Sequence, residues 1–288
     1  MKFKQVLRLF RVHNYIKNVF IFAPLFFVFQ FDDATVFSAF YSFVLFSLLA
    51  SGVYIGNDIF DVASDREHPK KKYRPIAAQQ ISIRVAGWIA LLIILGSIAG
   101  AWFINPRVCY AFLWYLGINI LYNVFLKKIP ILDVVVISLG FLIRILIGSY
   151  ATHIPASQWI LFMTFLLSLF LGFSKRRADV LVMLEKGASK PNLKLYTQKG
   201  INTLILVLGG FICASYLGYT LSDQVVQRIG STYVFVTAFW VTAGIVRYIK
   251  VIFTERDYYS PTSVVLKDHW LQFIMLAWVI TFIIIFYL

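Results

Sequence analysis

The chain has 288 residues, 60% of them hydrophobic and only 14% charged, with a formal net charge of +14. A soluble domain holds about 25% charged residues, so this composition argues against a water-soluble fold and against a basic nucleic-acid binder, which needs a hydrophilic domain to carry its charge. The two cysteines, Cys109 and Cys213, lie in apolar runs, and the four histidines are scattered, so neither a disulfide nor an HExxH-type zinc site is expected.

Nine apolar segments follow in order: 16–31, 34–56, 84–104, 107–126, 131–150, 157–174, 201–221, 230–253 and 269–288. Crossing the hydrocarbon core takes about 20 residues. In lipid a lone segment satisfies its own backbone only as a helix. The expectation is an all-α, polytopic membrane protein: one domain over 1–288, with about nine transmembrane helices. The N-terminal stretch is basic and then apolar, without a small-residue cleavage site, and reads as the first membrane helix. With nine spans and the N-terminus inside, segments 1–17, 57–84, 127–128, 175–199 and 247–267 face the cytoplasm. They hold 24 of the 27 Lys and Arg residues. That bias sets the orientation. The long polar loops are also on that side, so the chemistry is expected at the cytoplasmic face of the inner membrane.

Along the chain, Lys17 and Asn18 open the first span. The second span leaves the membrane at Asn57-Asp58-Ile59-Phe60-Asp61-Val62-Ala63-Ser64-Asp65, an NDxxDxxxD pattern. Asp58, Asp61 and Asp65, spaced by three and four, share one face of a helix. Carboxylates so crowded repel unless a cation joins them. Hard oxygen ligands suit Mg²⁺, which bridges one or two carboxylates to substrate phosphates. The plainer reading is a solvated acidic helix end paired with Arg66 and nearby lysines. Next comes Glu67-His68-Pro69-Lys70-Lys71-Lys72-Tyr73-Arg74-Pro75. Carboxylates followed at once by cations suit a metal–diphosphate ligand, with Lys71, Lys72 and Arg74 taking phosphate charge; for any single lysine, positive-inside anchoring explains as much.

In the fourth span Asn119 and Asn123 share a face, and Tyr122 and Lys127 extend it inward; amides in a span face the bundle or a wet cavity. In the fifth, Asp133 and Arg144 lie about three turns apart on nearly one face. So deep a charge needs a partner, either structural or substrate. Lys175-Arg176-Arg177-Ala178-Asp179 leaves the sixth span, with Glu185 beyond, and Arg247 closes the eighth. The basic run reads either as anion-binding residues or as cations snorkelling from a helix end.

With NDxxDxxxD, the basic loop behind it and nine spans, the whole chain resembles the UbiA superfamily of intramembrane prenyltransferases. The finer wording is similar to its decaprenyl-phosphate phosphoribosyltransferase branch. The stretches that carry this are His13-Asn14-Tyr15-Ile16-Lys17-Asn18, His68-Pro69-Lys70-Lys71-Lys72-Tyr73-Arg74-Pro75-Ile76-Ala77, Gly140-Phe141-Leu142-Ile143-Arg144 and Lys175-Arg176. The resemblance implies a helical bundle around a central cavity open to the cytoplasmic side, and Mg²⁺ as cofactor. It implies transfer of 5-phosphoribose from 5-phosphoribosyl 1-diphosphate (PRPP) to a polyprenyl monophosphate, for cell-envelope glycans. Prenylating members carry a second motif, DxxxD, after the sixth span; here Asp179 alone remains, among cations.

On that footing Asp58, Asp61 and Asp65 are the expected metal ligands, and Asp58, Asp61, Lys175 and Arg176 the expected catalytic groups. Lys17, Asn18, Asn57, Lys71, Lys72, Arg74, Asn119, Tyr122, Asn123, Arg144 and Asp179 are expected to bind substrate. The expected partners are PRPP, polyprenyl monophosphate and membrane lipids, with no nucleic acid and with homo-oligomerisation left open. Three other readings stand beside this one: a UbiA-type prenyltransferase using a prenyl diphosphate and an aromatic acceptor, a non-catalytic membrane scaffold, which would leave the acid-rich motif unexplained, and a transporter or flippase. The last would show inverted repeats and broken spans at matching positions.

Overall fold

The computed structural model of the protein describes residues 3–28, 31–67, 71–186, 196–254 and 261–287, and every described element is a helix. The chain divides into two compact units: Met1–Leu126 with Leu139–Ser157, and Lys127–Ser138 with Gln158–Leu288.

The first unit opens with α1 (Phe3–Leu9), a 3₁₀ stretch (Val12–Phe22) and α2 (Ala23–Val28), followed by α3 (Asp33–Phe60). Asp32 caps α3 by accepting from Thr35 N at 3.0 Å. This satisfies one of the free amides at a helix start. The short α4 (Val62–Glu67) continues α3 after a break. Ser82 caps α5 (Ile83–Ile104), and Asn105, with Pro106 at the first helical position, caps α6 (Pro106–Val124). Helix α7 (Leu132–Thr152) contributes its residues from Leu139 onward. The core joins Ile21, Leu49, Phe46, Phe112, Tyr115, Ile143 and Ile147. Gly148 lets α7 press against the 3₁₀ stretch, since a Cβ there would land on the carbonyl oxygen of Ile21. A smaller cluster of Leu9, Ile55, Ile76, Ile81, Ala86 and Ala90 ties α1 and the 71–81 loop to α3 and α5.

The second unit holds the start of α7, then α8 (Gln158–Lys186), α9 (Gln198–Thr220), α10 (Asp223–Ile229), α11 (Thr237–Thr254), α12 (Pro261–Lys267) and α13 (His269–Tyr287). Val134, Phe170, Phe173, Ile205, Ile245, Tyr248 and Leu271 form its core. The Asp268 carboxylate accepts from Leu271 N at 2.7 Å and binds Arg247 through two nitrogens, at 3.2 and 2.6 Å. It thereby ties the start of α13 to α11. The hydrogen bonds from Arg247 hold the Asp268 carboxyl below the usual carboxylate range.

Among the described residues, seven helical stretches are long and apolar enough to cross a membrane: α3, α5, α7, α8 to Leu184, α9, Thr232–Thr254 and α13. Of the nine expected segments, the first becomes the 3₁₀ stretch followed by the six-residue α2. The fourth is α6, a full helix diluted by Arg107, Asn119 and Asn123. Both are helical as expected, but neither is a plain apolar span.

Candidate active site

The acidic motif does not ride one helix. Helix α3 stops at Phe60, and Asp61 sits at its C-cap (φ −91°, ψ 7°) before α4 begins at Val62. Asp58 and Asp65 therefore project from two helices, and both are buried, at 2% and 1% exposure. They converge on one guanidinium nitrogen of Arg74, which lies 3.0 Å from Asp58 Oδ1 and 2.6 Å from Asp65 Oδ2. Arg11 forms a second ion pair with the same Asp58 oxygen, its guanidinium 5.0 Å from the centre of the Tyr54 ring. Lys71 Nζ stands 3.5 Å from Asp65 Oδ1, a buried oxygen that accepts no hydrogen bond among the described residues.

Local chemistry holds Arg74 in place. Its carbonyl accepts from Ala78 N at 2.8 Å, and the carbonyl of Pro75 accepts from Gln80 N at 2.9 Å. The following Ile76 is 1% exposed in the small cluster under α1. The loop is thus pinned by an apolar residue two positions beyond its bridging cation. Lys72 is exposed and lies over the Tyr73 ring. His68, Pro69 and Lys70 lie outside the described residues.

The amides group as their spacing implied. Asn123 donates to Asn57 Oδ1 and to Asn119 O (2.9 Å for the latter), and Asn119 donates to Tyr115 O at 2.8 Å, so a short ladder joins α6 to the head of the acidic motif. Tyr122 and Lys127 are half-buried nearby in sequence.

Arg144 is enclosed by groups of its own unit. It is 5% exposed and donates to Asn18 Oδ1 at 2.9 Å and Gly140 O at 2.6 Å. The rings of Phe46, Tyr115 and Phe141 surround its guanidinium at 5.0–5.4 Å. Asn18 in turn donates to Ser47 Oγ at 2.9 Å. These two residues, both expected to bind substrate, are joined to each other inside the first unit. Lys17 is exposed on the 3₁₀ stretch.

Asp133 is fully buried in the second unit and pairs with Arg176, Nε to Oδ2 at 2.8 Å. A second nitrogen of Arg176 reaches Asp179 Oδ2 at 3.0 Å. The Tyr196 hydroxyl donates to Asp133 Oδ1 at 3.3 Å and accepts from Ile131 N. Burial pushes the Tyr196 phenol up. A guanidinium between two carboxylates thus occurs in each unit: Asp58–Arg74–Asp65 in the first, Asp133–Arg176–Asp179 in the second. Lys175 is exposed. Arg177 is buried in packing, donating to Asn202 Oδ1 and to Ile252 O. The Glu185 side chain lies outside the described residues.

Sequence reasoning missed Arg11 and Tyr196. Each lies far along the chain from the carboxylate it holds, and no periodicity links them. A buried acid demands a partner, but the demand does not say which one.

Among the described residues no three His, Cys, Asp or Glu side chains gather tightly enough to hold a metal ion together. The donor set nevertheless fits a hard divalent cation. Asp58 and Asp65 aim one oxygen each at a single cationic point, and Mg²⁺ commonly takes one or two carboxylates and completes its shell from water and phosphate.

Comparison with known proteins bears on this arrangement. The profile of the UbiA prenyltransferase family matches residues 19–182. A decaprenyl-phosphate phosphoribosyltransferase of Mycobacterium tuberculosis is 33% identical over 83% of this chain and 78% of its own length. One of Corynebacterium glutamicum is 31% identical over 90% and 78%. A solved UbiA homolog from Archaeoglobus fulgidus, bound to GPP and Mg²⁺, superposes with a TM-score of 0.72. It covers 99% of this chain and 100% of that one, at 16% identity.

Proposed function

The chain belongs to the UbiA prenyltransferase family, and on that premise we propose that it transfers 5-phosphoribose from PRPP to a polyprenyl monophosphate of decaprenyl type, releasing diphosphate. What carries the reading is the likeness of most of the chain to decaprenyl-phosphate phosphoribosyltransferases at 33% identity, together with an acidic pair meeting Arg74 at one point.

In this reaction the bond from ribose C1 to the diphosphate oxygen breaks, and a bond from C1 to an acceptor phosphate oxygen forms. Negative charge grows on the departing diphosphate, and groups already aimed at it lower the barrier. Asp58 and Asp65, with Asp61 between them, would hold the metal, and Mg²⁺ supplies Lewis-acid stabilisation of the leaving group when bound. Lys71, Lys72 and Arg74 take non-bridging oxygens of the diphosphate. The Asn57–Asn123 pair fixes the start of the acidic motif.

The acceptor is already anionic near neutral pH, since a phosphate monoester has a second pKa near about 6, so it needs no strong base. Lys175 neutralises it, and Arg176, oriented by Asp133 and Asp179, adds planar donors. The work would be done at the cytoplasmic side of the inner membrane, for cell-envelope glycan precursors.

Prenyl transfer is the second reading. The fold neighbour bound to GPP favours it, as does the carboxylate that Asp133 places beside Asp179, partly refilling the missing acidic motif.

The deciding assay uses purified chain in detergent, Mg²⁺ and radiolabelled PRPP, with and without polyprenyl monophosphate. Lipid-dependent label in the organic phase, lost with EDTA, is the expected result. No label, with consumption of a prenyl diphosphate instead, replaces this reading by the second. Asp61→Ala should abolish transfer with folding intact, and near-normal turnover would remove the metal assignment.

A further inference from the structure

We propose that Arg11 and Arg74 are resident counter-ions of the acidic motif, which keep a free divalent cation out and admit the metal only together with a diphosphate. The inference rests on the reading above for the reaction, but on geometry alone for the ion pairs.

Two buried carboxylates, Asp58 and Asp65, face three cations: Arg11, Arg74 and Lys71. Counting Asp61 as well, the charges balance. A bare divalent cation would therefore enter a place with no net negative charge, and it would have to compete with a guanidinium bonded to both carboxylates. Buried ion pairs are costly to break, because removing one partner strands the other. A diphosphate changes the balance. It brings several negative charges of its own and offers the displaced guanidinium groups charge-assisted hydrogen bonds in place of those they lose.

Arg11 is built for such a role. Its backbone is left-handed (φ 51°), a region costly for a residue with a Cβ. It holds there at the junction of α1 and the 3₁₀ stretch, reaching back to Asp58. Asp65 Oδ1, buried and without a hydrogen bond among the described residues, can take a new ligand, with Lys71 at ion-pair distance.

The coupling must be reciprocal: diphosphate raises metal affinity by the same factor as metal raises diphosphate affinity, typically about 5- to 150-fold. Equilibrium dialysis of the full-length protein in detergent, with Mn²⁺ read by its EPR signal and inorganic diphosphate as the anion, tests this without any turnover. Wild-type protein should show no saturable Mn²⁺ site at low millimolar metal alone, and should retain Mn²⁺ in proportion to protein once diphosphate is added. Arg74→Gln should bind Mn²⁺ alone at least about tenfold more tightly than wild type, and Mn²⁺ should restore part of its thermal stability. Arg11→Gln should move the same way, by less.

Tight binding of Mn²⁺ alone by the wild type overturns the inference, and this arm needs no variant to fold. Absence of retained Mn²⁺ with diphosphate overturns it too. Diphosphate-dependent binding in a protein that makes no labelled lipid from PRPP keeps the inference and removes the phosphoribosyl reading; tight binding of the bare metal by an enzyme active on PRPP does the reverse.

Discussion

Asp58 is the residue on which the site turns, a carboxylate 2% exposed with two guanidinium groups on one of its oxygens. Asp58→Asn keeps the shape and removes the charge. Transfer should fall by at least about a hundredfold, the scale seen when one preorganised electrostatic group is lost, as measured by label incorporation. Arg144 makes the contrasting case. Its donors end on an amide and a carbonyl of its own unit and its plane lies among three rings, so it holds packing together. Arg144→Met should cost about 1–3 kcal/mol, read as a lowered unfolding temperature in detergent, and Arg144→Lys should not restore it, because an ammonium lacks the planar fork. An unchanged unfolding temperature with lost turnover would return Arg144 to the substrate. Asp268 carries a pH dependence. Its carboxyl is held below the usual range in the folded protein by the Arg247 hydrogen bonds. Its contribution is therefore complete above the unfolded value near about 4 and is lost as pH falls through the lower folded value. Asp268→Asn should lower the unfolding temperature at pH 7 and flatten its decline in acid; an identical acid decline in both proteins would contradict the assignment.

At the scale of elements, helix ends do the positioning. The break between α3 and α4 at Asp61 splits a motif that looks continuous in sequence, so Asp58 and Asp65 reach Arg74 from different helices. The 71–81 loop is held by burial of Ile76 and Ile81 beneath α1 and beside α5, which gives the short, polar-looking α1 a structural task through Leu9. The 3₁₀ stretch packs against α7 because Gly148 leaves room for the carbonyl of Ile21. Gly148→Ala must push the backbone apart and should destabilise by about 1–3 kcal/mol, measurable as a drop in unfolding temperature; a neutral or stabilised variant would mean that this contact gives way.

For the whole molecule, the charge bias makes a topological statement. If the Lys- and Arg-rich segments are cytoplasmic, a cysteine placed at Arg107 should react with a membrane-impermeant maleimide from the outside of intact cells. One placed at Lys72 should react only after permeabilisation, both in a background with Cys109 and Cys213 replaced. Labelling of both positions from the same side would refute the assigned orientation. Most of the fold was legible because a bilayer forces long apolar runs into helices. The first and fourth segments were the exceptions, where 3₁₀ geometry and polar residues replaced plain spans.

Composition and local spacing carry the helical membrane class, the family and the acidic motif beside a basic loop, because each is written in neighbouring residues. Packing between helices assigns who pairs with whom. It gave Asp133 to Arg176. It satisfied Arg144 with Asn18 and aromatic rings, and it brought Arg11 onto Asp58 across 47 residues of chain. The physical reason is that a buried charge must find some partner, but in a helical bundle that partner comes from whichever element packs alongside, and no local period encodes that choice.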